Sequence, residues 1–202
     1  MISARQRKLG QHIAFSLILT LSLAFPHVLF SQSSYKVDGV SEIDLKGTST
    51  LRDWTMMAHS FTGSALFTFA PDHQLSSVTE FSLRLPVHNL RSESAETQKN
   101  AYKALKDDRY KDIVFDLTSA QFIQSGLANY LILLHGHLTI AGVTQPTTLK
   151  LSAAINEDGT ILCSGSMPVL LSDYDIARPS FLLGAMKIGD VLTLTYRLLL
   201  VQ

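Results

Sequence analysis

The chain has 202 residues, of which 46% are hydrophobic and 17% are charged, and this length suits one domain with a sizeable core. Its 17 basic and 17 acidic side chains balance, and no basic patch is apparent, so the composition argues against nucleic acid as a partner. The single cysteine, Cys163, excludes an intrachain disulfide and a cysteine-based metal site.

The N-terminal segment has the order of features found in secretory signal peptides. Arg5, Arg7 and Lys8 form a positive region, and the uncharged apolar run from Ile13 to Phe25 follows it. This run is shorter than the roughly 20 residues that cross a bilayer as a helix. The sequence therefore predicts a signal peptide over residues 1–31, followed by one exported domain over residues 32–202 without a stable membrane span. An uncleaved N-terminal anchor is the alternative.

The rest of the chain is dominated by strand signals. Apolar residues alternate with polar ones in four runs, at 61–69, 81–87, 113–117 and 148–155. Turn residues separate the runs at 71–73, 142–146, 156–159 and 187–190. The turn at Asn156–Gly159 reads as a hairpin loop, with Gly159 available for a positive φ. Many short strands with regular turns predict an all-β barrel or sandwich.

One segment differs from this pattern and predicts a single inserted α-helix. Ser92 to Asp108 is rich in helix formers, and Ser92 or Ser94 can cap its start. Several strands carry apolar residues on both faces, as at 131–140, and the last strand, Val191 to Val201, is apolar nearly all round. A barrel with an apolar interior accounts for this, as does a helix or a partner that covers the outside.

Several segments resemble the YceI-like family. Leu134–Pro146 (LHGHLTIAGVTQP) is similar to the family signature G-x-L-T-I-x-G-V-T-x-P. Weaker similarities follow the family's order at Gly47–Trp54, Leu105–Phe115, Ser172–Ile176 and Gly184–Val191. Lys111 departs from the pattern, because many members have proline there.

The resemblance implies an extended, antiparallel, lipocalin-like β-barrel with one inserted α-helix and a hydrophobic tunnel. It also implies a periplasmic protein that binds a long-chain isoprenoid or another amphiphilic lipid without a cofactor. Whether the chain forms a homodimer stays open. The residues predicted to line the ligand site are Trp54, Phe61, Phe67, Phe69, Phe81, Leu83, Leu85, Phe115, Leu138 and Ile140. Trp54 is expected at the mouth, where its N–H can reach water or a head group. The alternative is that these side chains simply fill a core.

Polar candidates give weaker signals for chemistry. His135 and His137 share one strand face, and with His59 or His88 they could bind a metal, although two histidines alone are weak evidence. Asp173 and Asp175 flank a tyrosine in a segment that reads as a turn.

Two alternatives to a carrier therefore remain from the sequence. One is an enzyme that acts on an amphiphile through polar groups inside the barrel, such as His59, His88 or Asp53. The other is a structural or stress-related interaction protein, which would have a filled barrel.

Overall fold

The computed structural model describes residues 31–50, 52–124, 128–177, 180–181 and 186–202, and the side chains of 124, 180, 181 and 186 lie outside this description. Residues 1–30 of the predicted signal peptide also lie outside the described residues.

Strands make up most of the described chain. They are β1 (Ser31–Val37), β2 (Glu42–Ser49), β3 (Trp54–Ala58), β4 (Thr62–Phe69), β5 (Leu75–Pro86), β6 (Asp112–Gln124), β7 (Asn129–Ile140), β8 (Val143–Ile155), β9 (Ile161–Leu170), β10 (Ser180–Phe181) and β11 (Met186–Val201). One α-helix, α1 (Ala95–Ala104), lies between β5 and β6 among these residues. Short 3-10 turns occupy Val87–Asn89 and Leu171–Tyr174.

The strands form a closed antiparallel barrel. From β4 to β9 each strand pairs with the next one along the chain, and β9 then pairs with β11. The free edge of β11 is covered first by β2 and then by β1, while β3 and β4 pair with β2 and β1 in turn. Among the described residues the barrel wall counts eight strands, because β1 and β2 act as one interrupted strand and β3 and β4 act as another. The predicted all-β barrel with an inserted helix is confirmed.

The helix is shorter than the segment that the sequence suggested. It begins at Ala95, because the Ser94 hydroxyl accepts a hydrogen bond from the backbone N–H of Thr97 at 3.2 Å and so caps the first turn. The Tyr102 hydroxyl lies 2.7 Å from the carbonyl oxygen of Leu90 and fastens α1 to the barrel. We call the end of the barrel that α1 lies against, where β11 begins, the upper end.

Two predicted turns are wrong. The turn expected at residues 142–146 consists of Ala141 and Gly142, both with positive φ, and β8 resumes at Val143. Pro146 therefore lies inside β8, opposite His137. It is tolerated there because the described part of β9 pairs with residues 152–155 of β8, which leaves the other edge of β8 unpaired at Pro146 among the described residues.

The second misplaced turn, at residues 187–190, belongs to β11. Its glycine and aspartate lie where the pairing with β2 shifts register between Ile188 and Leu192. An irregularity of this kind bends a strand without ending it. By contrast, the loop at Asn156–Gly159 is confirmed, since Gly159 has a φ of 82° and the Asn156 N–H donates to the Thr160 carbonyl oxygen at 2.9 Å.

The lower half of the barrel is filled by side chains. Tyr35 and Phe67 meet edge to face with ring centroids 5.3 Å apart, and both are buried. Leu200 and Cys163 lie in the same core, fully shielded from solvent. Burial raises the pKa of the Cys163 thiol to about 12. This cysteine is therefore a small apolar core residue.

Candidate functional site

The upper half of the barrel contains two adjoining chambers. The mouth chamber has a volume of about 330 Å³ and lies between α1 and the strands. The inner chamber has a volume of about 100 Å³ and lies deeper in the barrel. The side chains that border both chambers form a neck between them, and they are Leu45, Leu105, Leu171, Ile176 and Leu192. The two chambers are therefore adjacent, and the residues that border both are apolar.

The mouth chamber has an apolar wall and a polar rim. Ala101 and Ala104 of α1 face it from one side, and Ile188 of β11 borders it from another. Its polar bordering residues are Ser49, Arg52, Ser94, Glu96, Thr97 and Asn100. Arg52 and Glu96 are both exposed to solvent and carry opposite charges. This division suits a molecule that is apolar at one end and polar at the other.

Trp54 forms part of the mouth because Gly47 makes room for its ring. These two residues are paired across β2 and β3, and a Cβ atom at Gly47 would lie only 2.2 Å from Cζ2 of Trp54. The indole therefore lies close against the backbone of β2, where a strand glycine allows this approach. Its Nε1 is buried and has no hydrogen-bond partner among the described residues.

The inner chamber is built from inward-facing residues of neighbouring strands. Leu83 is paired with Phe115, and Phe115 is paired with Leu138, so these three side chains lie side by side across β5, β6 and β7. Leu85 and Ile140 also border the chamber, one step closer to the upper end on β5 and β7. The wall is aliphatic and aromatic, as an apolar tail requires.

Tyr196 contributes the hydroxyl group nearest to the inner chamber. The hydroxyl donates a hydrogen bond to the carbonyl oxygen of Lys150 at 3.0 Å. Its ring lies over Gly165, where a Cβ atom would approach the Tyr196 hydroxyl oxygen to 2.5 Å. Burial is the main cause that raises the pKa of Tyr196 to about 12. The phenol therefore stays neutral and hydrogen-bonded at physiological pH, and the chamber stays apolar.

The ten residues predicted to line the site fall into three groups. Leu83, Leu85, Phe115, Leu138 and Ile140 border the inner chamber, and Trp54 borders the mouth chamber. The others border neither chamber, and they are Phe61, Phe67, Phe69 and Phe81. Their rings pack in or against the core, where Phe81 contacts the ring of Phe115 at a centroid distance of 6.2 Å.

The neck residues are not among those predicted from the sequence to line the site. Leu192 lies in the apolar run of β11, and that signal identifies it as a candidate. Leu105 follows α1, and Leu171 and Ile176 lie in or just after a 3-10 turn. These three residues belong to no period-two pattern, so no local signal identifies them.

The predicted polar candidates lie away from both chambers. His135 and His137 face outward, and their Nδ1 atoms lie 2.9 Å from Thr148 Oγ1 and 3.4 Å from Thr118 Oγ1. His88 Nε2 lies 3.0 Å from a carboxylate oxygen of Asp107 on the surface. The described part of the chain contains no group of three or more histidine, cysteine, aspartate or glutamate residues placed to hold a metal ion.

The remaining polar candidates also lie outside the chambers. Asp53 and His59 are exposed. Asp173 lies in the 3-10 turn and Asp175 follows it with a φ of 51°, so the interpretation of this segment as a turn is confirmed. Within the described ranges, no helix is long and apolar enough to cross a membrane.

Comparisons with known proteins agree with this architecture. A family model for the YceI-like domain matches residues 35–200. BcnA from Burkholderia cenocepacia aligns with a TM-score of 0.64 at 15% sequence identity, covering 81% of this chain and 98% of BcnA. A polyisoprenoid binding domain from Saccharophagus degradans, implicated in plant cell wall breakdown, aligns with a TM-score of 0.61 at 9% identity, covering 84% and 98% respectively. No curated protein matches the chain. At these identities the solved structures are alike in fold alone.

Proposed function

The chain belongs to the YceI-like family, and we propose that it is an exported carrier or storage protein that holds the apolar tail of an isoprenoid or similar amphiphile in the upper half of its barrel. In this proposal residues 1–31 are the signal peptide and residues 32–202 form the mature periplasmic domain. The observation that carries the proposal is the apolar inner chamber, which lies next to an amphipathic mouth chamber and shares the neck residues with it.

The energetics of the chamber favour an apolar occupant. Moving apolar surface out of water contributes about 25 cal/mol per Å², so a tail can be held with few polar contacts. Cavities lined by apolar side chains do not hold water well and accept apolar molecules instead. The mouth chamber, at about 330 Å³, falls within the range typical of small-molecule sites.

The proposed binding residues follow from the positions of the sequence candidates. Leu83, Phe115 and Leu138 would contact the tail, together with Leu85 and Ile140. Trp54 would flank the head of the ligand in the mouth chamber. The likeness in fold to a polyisoprenoid binding domain supports an apolar ligand of this kind.

Binding is favoured over catalysis by the chemistry of the chamber walls. Acid–base catalysis needs a titratable group within hydrogen-bond reach of the substrate. Tyr196 is the only titratable residue among the described residues that border the inner chamber, and its hydroxyl already donates to the carbonyl oxygen of Lys150. An interaction protein with a filled barrel is less well supported, because the upper half is hollow.

Extraction of the protein from its native compartment tests the proposal. The full chain is expressed in a bacterial host and purified from the periplasm without detergent, then extracted with organic solvent for mass spectrometry. We expect a mature chain that lacks the signal peptide and carries an amphiphile in near-stoichiometric amount. A chain that releases no apolar molecule and takes up none when amphiphiles are added would contradict the binding role. Retention of residues 1–31 in the cytoplasm would contradict the proposed export.

A further inference from the structure

Among the described residues, the inner chamber extends along β8 and β11 only as far as Leu149 and Tyr196. Leu149 and Tyr196 border the inner chamber, and the next inward-facing residues on the same strands are Leu151 and Leu198. Neither of these two leucines borders a chamber, and both are essentially inaccessible to solvent. Leu134 on β7 is paired with Leu149, is equally buried and borders neither chamber. We call Leu134, Leu151 and Leu198 the floor residues.

The region around the floor is fastened by hydrogen bonds and close packing. The ring of Tyr196 lies against Gly165 on β9, and its hydroxyl is bonded to the Lys150 carbonyl oxygen on β8. Displacing this ring would leave a buried carbonyl oxygen without its donor, which is costly. The floor is therefore a fixed part of the barrel, and a ligand tail would have to break these contacts to extend past it.

The lower end is braced in the same way. The Tyr35 hydroxyl donates to the carbonyl oxygen of Gly159 at 3.1 Å and accepts from Nε2 of Gln202 at 3.0 Å. The ring of Tyr35 also contacts Phe67, which is completely buried. These contacts join the beginning of the described chain to its end, so packed side chains occupy the lower end among the described residues.

We propose that the barrel selects its ligand by tail length. The preferred ligand is an amphiphile with a single tail that ends above Leu151 and Leu198 while its head stays at the polar rim. This inference rests on the proposed function and adds a limit that binding alone does not require. A longer polyprenyl tail would have to leave its remaining segment in the mouth or in water. Beyond the length that reaches the floor, additional methylene groups would therefore gain nothing.

Saturated carboxylates of increasing length give the test. Isothermal titration calorimetry of the delipidated full chain with octanoate through octadecanoate measures affinity against tail length. Each buried methylene should strengthen binding about fourfold until the tail reaches the floor, after which affinity should level off. The unmodified chain alone can therefore support or overturn the limit.

Two matched variants locate the floor. Leu198→Ala removes side-chain atoms directly below the inner chamber, so the plateau should move to a longer tail. Leu200→Ala makes the same change on the same strand, one inward position lower, in an equally buried residue. It should lose similar stability and keep the original plateau. Leu198→Val offers a milder change, with a smaller shift in the same direction.

The outcomes separate the length limit from the proposed function. If affinity rises steadily through octadecanoate, or if the Leu198→Ala and Leu200→Ala variants shift the plateau equally, the limit is overturned while apolar binding stands. If no carboxylate of any length binds to the unmodified chain and none of several neutral amphiphiles does so either, the proposed function itself fails.

Discussion

Replacing Val169 by tryptophan is expected to weaken amphiphile binding by about a hundredfold or more, the equivalent of losing three to four buried methylene groups. Val169 is buried on β9 and borders the inner chamber. An indole ring there can turn into a chamber of about 100 Å³ and take most of the room that a tail would occupy. Because it fills a hollow rather than a packed core, the variant should unfold at the same temperature or higher.

The matched control for this variant places the same ring outside the barrel. Val191 lies on β11, opposite Leu170, and is 51% exposed. Val191→Trp should bind amphiphiles with the affinity of the unmodified chain in calorimetric titration. Equal binding by the Val169→Trp and Val191→Trp variants would mean that the inner chamber does not hold the tail.

Replacing Gly165 by alanine is expected to lower the free energy of unfolding by about 3 kcal/mol, from overpacking together with a broken buried hydrogen bond. The added Cβ would lie 2.2 Å from the carbonyl oxygen of Lys150 and 2.5 Å from Cε2 of Tyr196. The Tyr196 ring must then move off the wall and toward the inner chamber. For a chain of this size the melting temperature should fall by roughly 6–12 °C, and amphiphile binding should weaken as well.

Gly39→Ala is the control for the glycine change. No atom lies within 4 Å of a Cβ placed at Gly39, and its φ is not positive, so this variant should melt within about 1–2 °C of the unmodified chain. If both alanine variants melt alike, the close packing of Tyr196 against Gly165 does not stabilise the barrel.

The titration of Tyr196 at alkaline pH gives a second readout for the Gly165→Ala variant. Burial raises the pKa of Tyr196 from 10.0 to about 12, so the folded state holds this proton more tightly than the unfolded state does. The resulting stabilisation is complete below pH 10 and is lost as pH rises toward 12. In Gly165→Ala, a phenol displaced toward the apolar inner chamber stays desolvated, so it should still titrate well above pH 10 in ultraviolet absorbance, provided that the variant is folded.

Alternation along the strands predicted which residues face inward. Leu83, Phe115 and Leu138 lie on one wall because residues paired across antiparallel strands share a face. The sequence could not separate these wall residues from Phe67 and Phe81, which alternate in the same way yet pack in the core. Their level along the barrel axis depends on the stagger between distant strands, and no local pattern encodes it.

The mouth was harder to predict than the wall. Leu105 and Ile176 reach the neck from irregular segments, where hydrophobic periodicity gives no information. The turn before β8 was misplaced because Ala141, a residue that rarely adopts positive φ, shares it with Gly142. The proline at position 146 favours a turn by its sequence, but it lies inside strand β8.

Quenching of tryptophan fluorescence by brominated dodecanoates tests most directly whether a tail enters the upper half of the barrel with its head outward. Trp54 is the single tryptophan of the chain and borders the mouth chamber, so it reports on that level alone. Bromine next to the carboxylate should quench Trp54 strongly, and bromine on the last carbon should quench it weakly at equal occupancy. Equal quenching from both positions, or stronger quenching from the last carbon, would contradict this account of the barrel.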